Sequence, residues 1–223
     1  MRRNKESAFI AKMYSGGIMP IFFHPNPEIC VKIIQTAYDA GIRVIEMVNR
    51  GKEAPDVFPE VRKAADKMPG LSLGIGTIYH GYEAEKFLDM GAEFIVSPVM
   101  SSELGDYCKR NETPWVPGCA TVTEVFQAQE LGAELVKIYP ANILTPAFVK
   151  AVHAVLPTIE IIPTGGVEPT SESMTQWLDA GVCCLGMGSQ LISKSKIANG
   201  DFGTIQKEMK RALEIVAEYR LAR

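Results

Sequence analysis

A chain of 223 residues fits one α/β barrel or two small domains. Hydrophobic residues make up 47% and charged residues 22%, enough to build one buried core. The formal net charge is −3, and the basic residues are scattered apart from Arg2, Arg3 and Lys5 at the start and Lys207, Lys210 and Arg211 near the end, so no basic face exists for binding nucleic acid.

Taken in chain order, the pattern predicts a helix over 5–15 and a first strand IMPIFF (18–23). A helix then ends in Asp39-Ala40-Gly41, and the strand RVIEMV (43–48) follows. LSLGIGT (71–77) reads as the third strand. The same acidic–small–glycine ending returns at Asp89-Met90-Gly91 before EFIVSP, at Glu130-Leu131-Gly132 before ELVKIYP, and at Asp179-Ala180-Gly181 before CCLGMGS. PWVPG (114–118) and EIIPTGG (160–166) are the strands in between, and a helix over roughly 203–220 closes the chain. Glycine just past a helix end is the usual left-handed cap, and the apolar run after it is a buried parallel strand. From Gly41 to Gly91, Gly132 and Gly181 the steps are 50, 41 and 49 residues, each about two βα units. Eight alternations predict a (β/α)₈ TIM barrel with an extra N-terminal helix. No GxGxxG opens the first helix, which disfavours an open doubly wound sheet. No linker interrupts the chain, so 1–223 is expected to form one domain.

No apolar run approaches the ~18–20 residues needed to span a bilayer, and no secretory leader is evident. The five cysteines (Cys30, Cys108, Cys119, Cys183 and Cys184) have no paired spacing. They read as small buried residues, and a cytoplasmic location is expected.

Two ionisable residues interrupt apolar strands, Glu46 in VIEMV and Lys137 in LVKIY. Each lies five positions past its capping glycine, Gly41 or Gly132, which implies the same parity and the same height on the second and sixth strands. The equivalent positions on the fourth and eighth strands are Val96 and Gly186, and glycine at 186 is expected to leave room beside the pair. A lysine buried there becomes neutral unless it is paired. A neutral amine attacks a ketone to give a carbinolamine and then an imine, while a neighbouring carboxyl shuttles protons. The competing interpretation is a structural ion pair, although apolar replacement of such pairs is often neutral or stabilising.

The seventh strand ends in Pro163-Thr164-Gly165-Gly166 and the eighth in Gly186-Met187-Gly188-Ser189. Turns at these two strands commonly cradle a phosphate with backbone N–H groups, so Thr164, Gly165, Gly166, Gly188 and Ser189 are expected to bind substrate. Arg50, four residues after Glu46, is placed to take a carboxylate, and Thr77 could add a hydroxyl to the same group. His24 and His80 flank Glu46 in strand order and could hold Zn²⁺, but no HxH or HExxH spacing supports a metal, and no cofactor is expected. His153 reads as a helix-surface residue.

AGIRVIEMVNR (40–50), GIGT (74–77), FIVSP (94–98), PGCATVTE (117–124), LVKIYPA (135–141), PTGG (163–166) and GMGS (186–189) together resemble the KDPG/KHG aldolase family, along nearly the whole chain. The resemblance implies a class I aldolase that cleaves a 2-keto-3-deoxy-6-phospho sugar acid, or its galactonate epimer, and/or 4-hydroxy-2-oxoglutarate to pyruvate plus an aldehyde. It implies Lys137 as the Schiff-base lysine and Glu46 as the proton-transfer residue. Arg50 and Thr77 would hold the carboxylate, and the PTGG and GMGS turns the phosphate. A homotrimer is implied as well, with a small-molecule partner and neither nucleic acid nor membrane. Val48 stands where the family commonly has threonine, removing a pocket hydroxyl. Val99 stands where glycine is usual after Ser-Pro and is expected to narrow the mouth, while PGCAT is similar to the 6-phosphogalactonate branch. The rival functions are another phosphate-binding barrel, an epimerase or synthase, and a metabolite-binding barrel without turnover.

Overall fold

The computed structural model describes residues 7–222; Arg2, Arg3, Lys5 and the start of the expected 5–15 helix lie outside them. Strands and helices alternate: α1 (Ala8–Gly16), β1 (Ile18–Phe22), α2 (Pro27–Ala40), β2 (Val44–Val48), α3 (Ala54–Ala65), β3 (Ser72–Gly76) and α4 (Gly81–Asp89). There follow β4 (Ile95–Val96), α5 (Ser102–Arg110), β5 (Trp115–Val116), β6 (Gly118–Cys119), α6 (Val122–Glu130), β7 (Leu135–Ile138) and α7 (Pro146–Val155). The chain ends with β8 (Glu160–Pro163), α8 (Ser171–Asp179), β9 (Leu185–Met187), α9 (Lys194–Ala198) and α10 (Phe202–Leu221). Short polar side chains start the helices. Asn26 accepts from the backbone N–H of Glu28 at 2.8 Å with Pro27 behind it, and Thr121 forms a capping box with Glu124. The four repeated glycines, 41, 91, 132 and 181, all have φ between 92° and 106°, as left-handed helix ends require.

Every strand pair is parallel, in the orders β5-β4-β3-β2-β1-β9 and β6-β7-β8. One expectation is corrected here: the fifth strand is broken into β5 and β6 at Pro117, and the hydrogen-bonded ladder falls into two sheets. Proline has no N–H to donate, so pairing stops at it and changes partner. β5 pairs with β4, whereas β6 pairs with β7. A lone bridge, Thr164 to Gly186, joins β8 to β9.

Because alternate side chains of a strand face opposite ways, the buried residues sort into two cores. The larger lies between strands and helices, where α10 buries Ile205, Met209, Ala212, Ile215 and Val216 while Lys207, Lys210 and Arg211 stay exposed. The smaller gathers residues of the other parity, Met19, Val44, Phe94, Val96, Val116, Leu135 and Ile162, and α1 adds Ile10 and Met13. Val44 and Leu135 lie two residues before Glu46 and Lys137, so the charged pair shares their side of the strands, one layer nearer the strands' C-terminal ends. All five cysteines are buried and unbridged. His153 is half-buried instead of on the helix surface: its Nε2 lies 3.2 Å from the Ile159 carbonyl, and its ring packs beside Gly181. None of the described helices is long and apolar enough to cross a membrane.

Candidate active site

β2 and β7 are buried along their whole lengths, and Glu46 and Lys137 are 0% and 3% exposed. Glu46 aligns with Ile21 of β1 and Gly74 of β3, and Lys137 with Gly118 of β6 and Ile162 of β8. Neither carboxylate oxygen of Glu46 has a hydrogen-bond partner. The two residues feel each other through space without a direct hydrogen bond. Burial is the larger influence on both. It raises the Glu46 pKa against the opposing pull of Lys137 and then Arg50, and it lowers the Lys137 pKa against the support of Glu46, with Arg50 lowering it further. Burial thus works against the charge of each group, while each group's charge supports that of the other. The lysine Nζ lies 5.2 Å from the centroid of the Tyr139 ring, whose face attracts the ammonium form.

Gly76 makes the room for Glu46. A Cβ there would overlap the Glu46 carboxyl, and the Cβ of residue 74 would run into the Phe94 ring. Gly76→Ala is therefore expected to displace Glu46, lower turnover more than substrate binding, and destabilise the fold by about 1–3 kcal/mol, as overpacking does. Thermal melting together with steady-state kinetics checks this; unchanged kcat would show that the carboxyl position is not set by Gly76.

Gly186 does something other than leave space beside the charged pair. A Cβ at 186 would collide with Thr164 Oγ1, so the space there already belongs to the threonine. Thr164 is 7% exposed, and its hydroxyl has no hydrogen-bond partner among the described residues. After it, Gly165 and Gly166 both take positive φ (87° and 100°), and the chain passes so close to Asn142 that a Cβ at 166 would stand 2.6 Å from Asn142 Cβ.

Arg50 is exposed at the end of β2, and its Nε donates to Thr77 Oγ1 at 3.3 Å. Thr77 holds φ at 63°, a left-handed conformation uncommon for threonine and often found at functional sites. The two residues expected to share one carboxylate are thus already in contact. Arg50, Gly188 and Ser189 line one cavity of about 600 Å³ at the C-terminal ends of β1, β2 and β9. Val48, which replaces a hydroxyl, also lines it. Val99, 46% exposed, is not among the residues that line it. A second cavity of about 380 Å³, lined by Cys108 and Trp115 among others, lies beside the N-terminal ends of β5 and β7 and holds none of these residues.

Patterning missed Phe23, Ile192, Lys194 and Ile197 on the main cavity wall. Three of these belong to the stretch around α9, a five-residue helix too short to show periodicity, although Ser193 announces it by accepting from the Lys196 N–H. His24 and His80 do not converge on Glu46. His24 Nδ1 accepts from the Asn26 N–H at 3.1 Å, and His80 stacks on Tyr82 with Glu103 3.4 Å from its Nδ1. Among the described residues, no three His, Cys, Asp or Glu side chains are grouped to hold a metal.

Residues 9–208 match a family model described as "Aldolase: KDPG and KHG aldolase". The 2-dehydro-3-deoxy-6-phosphogalactonate aldolase of Escherichia coli K12 is 31% identical over 199 residues, covering 88% of this chain and 91% of that protein. A native KDPGal structure superposes with a TM-score of 0.83 at 25% identity, over 99% of both chains. The fold is also shared by the KDPG aldolase of Legionella pneumophila, solved with pyruvate captured as a covalent carbinolamine (TM-score 0.83, 24% identity, 91% of this chain and 97% of that one).

Proposed function

The chain belongs to the KDPG and KHG aldolase family, and from that premise we propose that it is a Schiff-base aldolase whose nucleophile is Lys137. One observation carries this: a buried amine, pushed by burial toward its neutral form, interacts through space with a buried carboxyl that has no hydrogen-bond partner among the described residues. Keeping two such groups out of water costs stability, so stability alone is a weak reason for their presence. The substrate is a 2-oxo acid, of the 2-keto-3-deoxy-6-phospho type or 4-hydroxy-2-oxoglutarate, cleaved to pyruvate and an aldehyde.

In this mechanism Arg50, steadied by Thr77, binds the carboxylate of the acid. The Lys137 amine adds to the C2 ketone, Glu46 supplies the proton with which water leaves, and the protonated imine becomes an electron sink. The Glu46 carboxylate, having given up its proton, takes the proton of the C4 hydroxyl, and the C3–C4 electron pair flows into the imine, releasing the aldehyde and leaving an enamine. Glu46 returns a proton to C3, and water hydrolyses the imine to free pyruvate and the amine. Thr164 offers its unpartnered hydroxyl to the substrate, and the backbones of Gly165, Gly166, Gly188 and Ser189 take its phosphate. Borohydride with pyruvate is expected to leave a reduced pyruvyl mass on the Lys137 peptide; a folded protein without it would sink this reading.

The two sheets fit one closed eight-stranded barrel of a single domain. Only Pro117 separates β5 from β6, its carbonyl accepts from the Lys137 N–H at 2.8 Å, and the Thr164–Gly186 bridge spans the other seam. Tyr79, Tyr82, Val99, Val122 and Phe126 are exposed on the loops and helix starts after β3, β4 and β6, and the homotrimer would cover them. Light scattering at the monomer mass would remove the trimer from the proposal.

A further inference from the structure

The cavity at the ends of β1, β2 and β9 has two cationic side chains in its lining, Arg50 and Lys194, and neither aspartate nor glutamate. In a chain of net charge −3, this local balance favours an anion. The two cations have different surroundings. Arg50 is tied to Thr77 and lies close enough to Glu46 and Lys137 to shift both, so its charge belongs at the reacting end. Lys194 stands at the start of α9, five residues beyond Ser189, and has no hydrogen-bond or ion partner among the described residues. Its neighbour Lys196, by contrast, is committed to Glu208. A free lysine beside a paired one, on the wall of the same cavity as Gly188 and Ser189, is a charge left for a ligand.

We infer that Lys194 is a specificity residue that reads the charge of the substrate's far end, so that the protein selects 2-keto-3-deoxy acids with a terminal phosphate over those ending in a neutral hydroxyl. The inference rests on the aldolase reading above and adds to it a side chain whose contribution is separable from the chemistry. The backbone N–H groups of the glycine turns contribute oriented dipoles, whereas Lys194 contributes a full charge on a flexible stem. The attraction is partly exposed to solvent and so falls with salt.

The test compares cleavage of 2-keto-3-deoxy-6-phosphogluconate and 2-keto-3-deoxygluconate by the wild type, Lys194→Gln and Lys194→Arg. Lys194→Gln is expected to lose about twofold to fivefold in kcat/KM on the phosphorylated acid, mostly through KM, as removal of one partly exposed charge does. The unphosphorylated acid should be cleaved as before, and Lys194→Arg should recover most of the loss. The borohydride-trapped pyruvate adduct should form equally in all three, because pyruvate has no far end to be read. Equal losses on both substrates, or no loss on the phosphorylated one, would overturn the role of Lys194 while leaving the aldolase standing. Failure of the wild type to form the adduct would instead overturn the aldolase reading and this inference with it.

Discussion

Replacing Lys137 with alanine or methionine is expected to abolish the pyruvate adduct and reduce cleavage by about 10⁴-fold or more, because no other group can take over the covalent step. Methionine is the sharper variant. It preserves the apolar stem and most of the volume of a residue that is 3% exposed, so the layer between Leu135 and the cavity stays filled. It also removes a buried amine whose burial already works against its charged form. Apolar replacement at such a site is often neutral or stabilising, so the melting temperature should hold while activity disappears. Activity that survives within tenfold of the wild type would exclude the imine and return the epimerase or synthase reading to consideration.

Glu46→Gln should lower kcat by about 10²–10⁴-fold, the range for a positioned proton-transfer group, with a smaller effect on KM. Glutamine keeps the shape above Gly76 but can neither give up nor take back a proton. The pH profile carries a second signature. Burial and Arg50 lower the Lys137 pKa below its ordinary 10.5, and Glu46 pulls it back up. The amine reacts only when free, so the rate of adduct formation rises with pH on its acid limb. Removing the negative charge of Glu46 removes the upward pull. The Lys137 pKa then falls further, and the acid limb of adduct formation should move to lower pH in Glu46→Gln. Rapid-mixing trapping across pH measures this directly, and a limb that stays put or moves upward would mean that Glu46 does not act on the lysine as a charge.

The succession of strands and helices, and the two residues proposed to carry the chemistry, are legible in the sequence alone, because they depend on local regularities. A glycine past each helix end marks where the next strand begins, and a period of two along that strand then sets which way a side chain faces. Counting five from Gly41 and from Gly132 therefore places Glu46 and Lys137 on one inner layer, two residues beyond Val44 and Leu135. Arg50 and Thr77 follow from their places at strand ends, and they do meet.

What the sequence could not express is who touches whom across the interior, since that depends on side-chain volumes from strands far apart in the chain. Gly186 looked like open space beside the lysine, yet Thr164 from the neighbouring strand occupies it. Gly76 carries no signal in the sequence beyond its place in the third strand, yet it is the seat of the Glu46 carboxyl. Pro117 sat inside an expected strand, and only the ladder reveals that it splits that strand between two partners. Lys194 lies in a five-residue helix with no periodic signal, and it matters only because folding brings β9 beside β1 and β2, where its free charge faces the same cavity as Arg50. Local pattern decided where the reactive groups sit along the chain; three-dimensional packing decided what surrounds them, and the surroundings set their protonation and their reach.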